Sequence, residues 1–178
     1  MKKYEFTIIA TGLDPNRDDF ADRFFGAGCD DATISFQKGA IILEFDRTAK
    51  NFAHALDEAI KNVELAGATI VHIEPDHLVS LSDIAVRAGV TRAAASHYAN
   101  GDRGKDFPLP VARVTTENPL WDWVEVARWL RRRGQIGLAE LLRARVVRYA
   151  NLEISKRRAT QRVFGRDGGY RRDHRTAA

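Results

Sequence analysis

The 178-residue chain has one cysteine, Cys29, so it can close no intrachain disulfide. That excludes a disulfide-stapled secreted scaffold, and it leaves no set of thiols for a zinc finger. No run of about 18 apolar residues occurs, which excludes a membrane-spanning helix of the usual length. The opening MKKYEFTIIATGLDPN carries two lysines but too short an apolar stretch for a secretory signal, so a cytoplasmic location is expected. There is no phosphate-binding G-x-x-x-x-G-K-S/T, no G-x-G-x-x-G after a strand and no G-x-S-x-G elbow. His54, His72, His77, His97 and His174 are scattered without the spacing of a metal site, and no Ser or Cys stands with an identifiable base. Neither catalysis nor a metal or cofactor is expected.

What is present is a chain with 44% apolar residues and 29% charged ones, enough for a hydrophobic core. The net charge of +4 conceals two opposite halves. Residues 1–78 carry 8 Lys+Arg against 14 Asp+Glu, whereas residues 79–178 carry 20 against 10. The basic half draws 18 of its 20 cations from arginine, the side chain that binds phosphate and guanine edges bidentately. An acidic half joined to such a basic half points to a polyanion as partner of the second.

The first 76 residues read as a strand at Tyr4–Ala10, then a helix after Asp18 and Asp19 with Phe20, Phe24 and Phe25 as its apolar stripe. Strands at 33–36 and 40–45 follow, joined across Gln37-Lys38-Gly39. A second helix carries Phe52, Leu56, Ile60 and Val63, and a last strand spans 69–73. The order β-α-β-β-α-β resembles the ferredoxin-like split βαβ module. That topology assigns no function by itself. Asp14, Asp18, Asp19, Asp22, Asp30 and Asp31 lack the spacing of a calcium loop and read as a solvated turn and helix start.

A boundary falls near Glu74-Pro75-Asp76-His77, after which helical patterns replace β patterns. Ser80 is placed to cap a helix with Leu81, Ile84, Ala85 and Ala88 on one face. Gly89 suits its left-handed end, and Thr91 caps a second short helix ending at Asn100-Gly101. Two helices of about eight residues around a glycine turn form a helix-turn-helix arrangement. With Ala95 and Tyr98 inward, Arg92, Ala93, Ser96 and His97 face outward as candidate DNA contacts, flanked by Thr91, Asn100, Arg103 and Arg113.

The run from Leu78 to Arg133 then resembles bacterial winged helix-turn-helix DNA-binding domains of the MerR/excisionase type. The resemblance rests on S-x-x-x-I-A-x-x-x-G-V, on Phe107-Pro108-Leu109-Pro110, and on the L-W-x-W…V-x-x-W-L ending. It implies strands at 111–114 and 119–121 as a wing with its tip at 115–118, and a closing helix at 124–133. Such a pattern also occurs as a bare packing motif or in protein contacts.

The chain is therefore expected to be α+β: a ferredoxin-like domain over 1–76, and an all-α winged helix-turn-helix over 78–133. A C-terminal helix over 135–152 and a flexible basic tail over 156–178 complete it. The tail carries Lys156, Arg157, Arg158, Arg162 and Arg166 as candidate phosphate contacts. The function expected is sequence-specific binding of double-stranded DNA by a bacterial transcriptional regulator, as a homodimer. The N-terminal module either dimerises the protein or binds a partner or effector, and the C-terminal helix is a dimer contact or only covers the winged domain. One alternative is an antitoxin or adaptor whose acidic domain holds a protein partner. Another is an RNA-binding protein that would display Phe36 and Phe45 on an open sheet face.

Overall fold

Period-two alternation builds the first sheet. In the computed structural model, which describes residues 1–164, Phe6, Ile8 and Ala10 of β1 (Lys2–Thr11) turn to one side and are buried, while Lys3 and Glu5 stay exposed. β3 (Ala40–Ala49) runs antiparallel beside it, with Phe6 opposite Phe45 and Ile8 opposite Leu43. Each such apolar cross-strand pair contributes roughly 0.2–1 kcal/mol. β2 (Ala32–Gln37) adds to β3 and β4 (Thr69–Glu74) to β1, giving the order β2-β3-β1-β4 with every pairing antiparallel. α1 (Phe20–Gly26) carries the chain from β1 past β3 to β2, and α2 (Phe52–Leu65) carries it from β3 past β1 to β4. α2 lays Phe52, Leu56, Ala59 and Val63 on the sheet at helical spacing.

Three expectations for this half are corrected. Phe25 is 70% exposed, because seven residues of helix turn only Phe24 fully into the core. Asp31 is not a solvated turn carboxylate: it pairs with the buried Arg47 through two bonds of 2.8 and 2.7 Å. Arg47 also donates to the Gly28 carbonyl at 2.8 Å and lies over the Phe45 ring. A buried guanidinium needs such partners, since removing one strands the charge in the interior. Lastly, Phe45 is buried against Phe6, and Phe36, 47% exposed, sits opposite Ile41 at the edge of the core-facing side. The open face presents Lys3, Glu5, Glu44 and Asp46 in place of the aromatics that an RNA-binding sheet requires.

The second half is not all-α. β5 (Leu78–Val79) pairs antiparallel with β6 (Trp121–Asp122), a two-stranded ladder that closes the unit. Around it pack α3 (Leu81–Ala88), α4 (Arg92–Ala99) and α5 (Trp123–Arg132), with Ile84, Ala95, Trp121, Val126, Trp129 and Leu130 in a second core. The expected wing strands at 111–114 and 119–121 shrink to one bridge between Ala112 and Leu120. Arg113 takes φ +52°, outside the extended region, and Trp121 is drawn away into β6.

The C-terminal boundaries are also corrected. One helix, α6 (Leu138–Phe164), replaces both the helix ending at 152 and the first part of the expected flexible tail. It persists because it has something to pack on along its length. Leu141 and Ala144 enter the second core, and Val147 and Ile154 enter the first. Arg157 reaches Glu64 at 3.4 Å, and Arg158 donates to the Val71 carbonyl at 3.4 Å. Lys156 pairs with Glu153 at 2.8 Å, and Arg162 falls near the helix end. Arg166 and the rest of 165–178 lie outside the described residues. Among the described residues no helix is long and apolar enough to cross a membrane.

Candidate nucleic-acid interface

The helix pair α3 and α4 is built on two caps and one glycine. The Ser80 hydroxyl accepts the Asp83 N–H at 3.3 Å, and the Asp83 carboxylate accepts the Ser80 N–H at 2.8 Å, a reciprocal capping box for α3. The hydroxyl hydrogen bond from Ser80 also holds the Asp83 carboxyl below its ordinary range. Gly89 ends the helix at φ +66°, ψ +32°, and Val90 then bonds back to the Ala85 carbonyl at 2.9 Å. Thr91 starts α4 by accepting the Ala94 N–H at 3.1 Å.

A Cβ at Gly89 would meet nothing within 4 Å, so its requirement for glycine is one of backbone conformation alone. Gly89→Val is therefore expected to cost about 1–3 kcal/mol, whereas Gly89→Asn, which tolerates the left-handed region, should cost markedly less. Thermal unfolding of the three proteins followed by circular dichroism checks this. Equal loss for valine and asparagine would contradict the backbone account.

Ala95 and Tyr98 point inward and are buried, which turns the rest of α4 outward. Arg92, Ala93, His97 and Asn100 are exposed and Ser96 is partly so, and all lie along one side of the helix. Thr91 is spent on the cap, and Asn100 is the residue at which the helix ends. Arg92 Nε donates to the Ser82 hydroxyl at 3.1 Å, which steadies the guanidinium across the helix pair. His97 Nδ1 lies 3.0 Å from the Asp102 carboxylate. That contact orients the ring and sets a negative charge beside it.

The loop after α4 is held by aromatic side chains. Trp129 Nε1 donates to the Lys105 carbonyl and Trp121 Nε1 to the Pro108 carbonyl, both at 3.0 Å. Phe107 meets Trp129 edge-on with ring centres 5.0 Å apart. Gly104 is required for space: a Cβ there would lie 2.6 Å from the Trp129 ring. Loop residues Arg103 and Lys105 are thereby fixed beside α4 with exposed side chains, and Arg113 is exposed in the hairpin beyond. Lys105 is marked by no sequence pattern. Its place becomes visible only through the indole bond from a residue 24 positions away.

Much of the sequence-level positive charge is already engaged. Arg128 pairs with Glu125 at 2.6 Å, and Arg148 pairs with Asp122 at 3.1 Å. Arg133 lies over the Trp129 ring and donates to the Arg103 carbonyl at 3.3 Å. Arg87 rests on the Trp123 ring, and its burial lowers its pKa from the usual arginine value. Arg103, Lys105, Arg113, Arg131 and Arg132 form no ion pair among the described residues. With Arg92 they are the cations of residues 78–133 that are exposed and engaged by no carboxylate or ring among the described residues.

Among the described residues no group of three His, Cys, Asp or Glu side chains is placed to hold a metal ion. Cys29 is buried, and that burial pushes its thiol up to about 11, so it stays protonated at neutral pH. No protein-family model matches the chain, and no match is found among curated proteins or among solved structures.

Proposed function

We propose that residues 78–133 form a winged helix-turn-helix that binds double-stranded DNA, with α4 lying in the major groove, and that the protein is a bacterial transcriptional regulator. The observation that carries this reading is the pair α3 and α4, joined through left-handed Gly89 and capped at both starts, with Arg92, Ala93, Ser96 and His97 on the outer side of α4. In this reading Arg92 bonds a guanine edge or a phosphate, Ser96 and His97 bond base edges, and Ala93 meets a thymine methyl group. Arg103, Lys105 and Arg113 bind phosphates and set the register. The hairpin closed by the Ala112–Leu120 bridge corresponds to the wing. The order β2-β3-β1-β4, with each helix crossing one intervening strand, supports a ferredoxin-like reading of residues 1–76.

Selection of binding sites from random duplexes at two salt concentrations tests the proposal. A short enriched motif is expected. Arg92→Ala should lose about 1–3 kcal/mol of discrimination at one position of that motif. Salt-sensitive binding with no motif would replace a regulator by an architectural or adaptor protein. No binding to any duplex would reject the reading.

A further inference from the structure

The face shared by α2 and α6 has an apolar groove of about 480 Å³, whose walls include Leu56, Ile60, Val146, Tyr149 and Ala150. Along α6 the exposed stripe continues, with Leu142 47%, Tyr149 68% and Leu152 44% exposed. Exposed apolar side chains in a contiguous row, unlike single ones, mark an interaction surface. The pattern of charges along this stripe says which partner fits.

Two antiparallel copies of α6 related by a two-fold axis through Tyr149 would set each residue against the one equally far on the other side of that tyrosine. Three positions away this places Val146 opposite Leu152, apolar on apolar. Four positions away it places Arg145 opposite Glu153, cation on anion, and the symmetry makes both matches twice. Arg145 has no ion pair among the described residues, and Glu153 is held only by exposed Lys156 within its own helix. An exposed pair of that kind is worth little and is readily exchanged. On this face the sequence within four positions of Tyr149 is thus self-complementary in both polarity and charge.

We propose that this face is the dimer interface and that its occupant is a second copy of this chain, packed antiparallel along α6. The groove beside Tyr149 receives the tyrosine ring of the other copy. This interface stands independently of the DNA reading. If both hold, it supplies the second helix-turn-helix for a two-half-site operator.

Sedimentation equilibrium of the full chain tests it. The wild type should sediment at twice the chain mass. Arg145→Glu alone sets Glu against Glu, and Glu153→Arg alone sets Arg against Arg. Each should weaken self-association by about tenfold or more, at unchanged helical circular dichroism. Mixing the two variants should restore association, because both symmetry-related contacts then pair opposite charges. A monomeric wild type, a dimer indifferent to both reversals, or a mixture that fails to associate would each overturn the proposal.

Discussion

Trp129→Ala is expected to destabilise the helix-pair unit by about 3–5 kcal/mol, the range for truncating a large buried aromatic. The ring is buried and has close neighbours on every side. Its centre lies 5.0 Å from those of Tyr98 and Phe107, the Arg133 guanidinium lies over it at 4.6 Å, and Gly104 abuts it. Little can collapse into the hole, because Gly104 has no side chain and Phe107 is already committed to Trp121. The same substitution removes the donor to the Lys105 carbonyl and frees the loop that follows α4. Trp129→Phe separates the two effects, since it keeps an aromatic ring but not the N–H. It should lose less stability while still loosening the loop. Denaturant unfolding, with amide exchange over residues 101–110, reads both. A loss below about 1 kcal/mol for alanine would mean that the site repacks freely.

Asn151→Leu is expected to cost about 2–6 kcal/mol through polar groups rather than volume. Asn151 is buried on α6, where its side-chain oxygen accepts the Ile73 N–H at 2.7 Å and its amide donates to the Ile73 carbonyl at 2.9 Å. Ile73 lies in β4, whose only strand neighbour among the described residues is β1. One asparagine thus does at this edge what a further strand would do. Leucine of similar size would leave a donor and an acceptor unpaired in a buried place, at about 1–3 kcal/mol for each. Exchange of the Ile73 amide should accelerate with the fall in global stability. Asn151→Asp gives a pH test. The new carboxylate would face the Ile73 carbonyl, so its folded-state pKa is raised above the unfolded value. Stability should then be greater at low pH and be lost as pH rises through that folded pKa. If Asn151→Leu unfolds like the wild type, water replaces the amide and the edge is not sealed.

The elements that were legible in the sequence are those whose evidence lies within a few residues. The alternation in Tyr4-Glu5-Phe6-Thr7-Ile8, the glycines Gly26, Gly28 and Gly89, and the caps Ser80 and Thr91 each express a local rule of backbone geometry or solvent contrast. They locate the strands and helices of both units to within a few positions. Exposure of Arg92, Ala93 and His97 followed from the same periodicity, once Ala95 and Tyr98 were turned inward.

The features that local patterns leave out share the opposite property. Residues 69–73 read as a strand and are one, but nothing in them reveals that the outer edge is sealed by Asn151, 78 residues away from Ile73. Leu78–Val79 is too short for any periodicity and becomes a strand only because Trp121–Asp122 pairs with it. The arginines of residues 79–178 looked like one basic field. Ion pairs with Glu125 and Asp122, and stacking on Trp123 and Trp129, divide them into structural cations and free ones.

α6 shows where that line falls. From composition, residues from 156 onward are charged and poor in apolar side chains, and local rules read such a stretch as a solvated tail. The helix nevertheless runs unbroken to Phe164, because Ile154 reaches the sheet core and Arg157 and Arg158 find partners on α2 and β4. Patterns of neighbouring residues set the local geometry of the elements, the inner and outer sides of the helix pair and the division of charge between the halves. Tertiary structure alone decided how far α6 extends, how it ties the two cores together and which arginines stay free. Those outcomes depend on contacts between distant residues, whose energies no local pattern encodes.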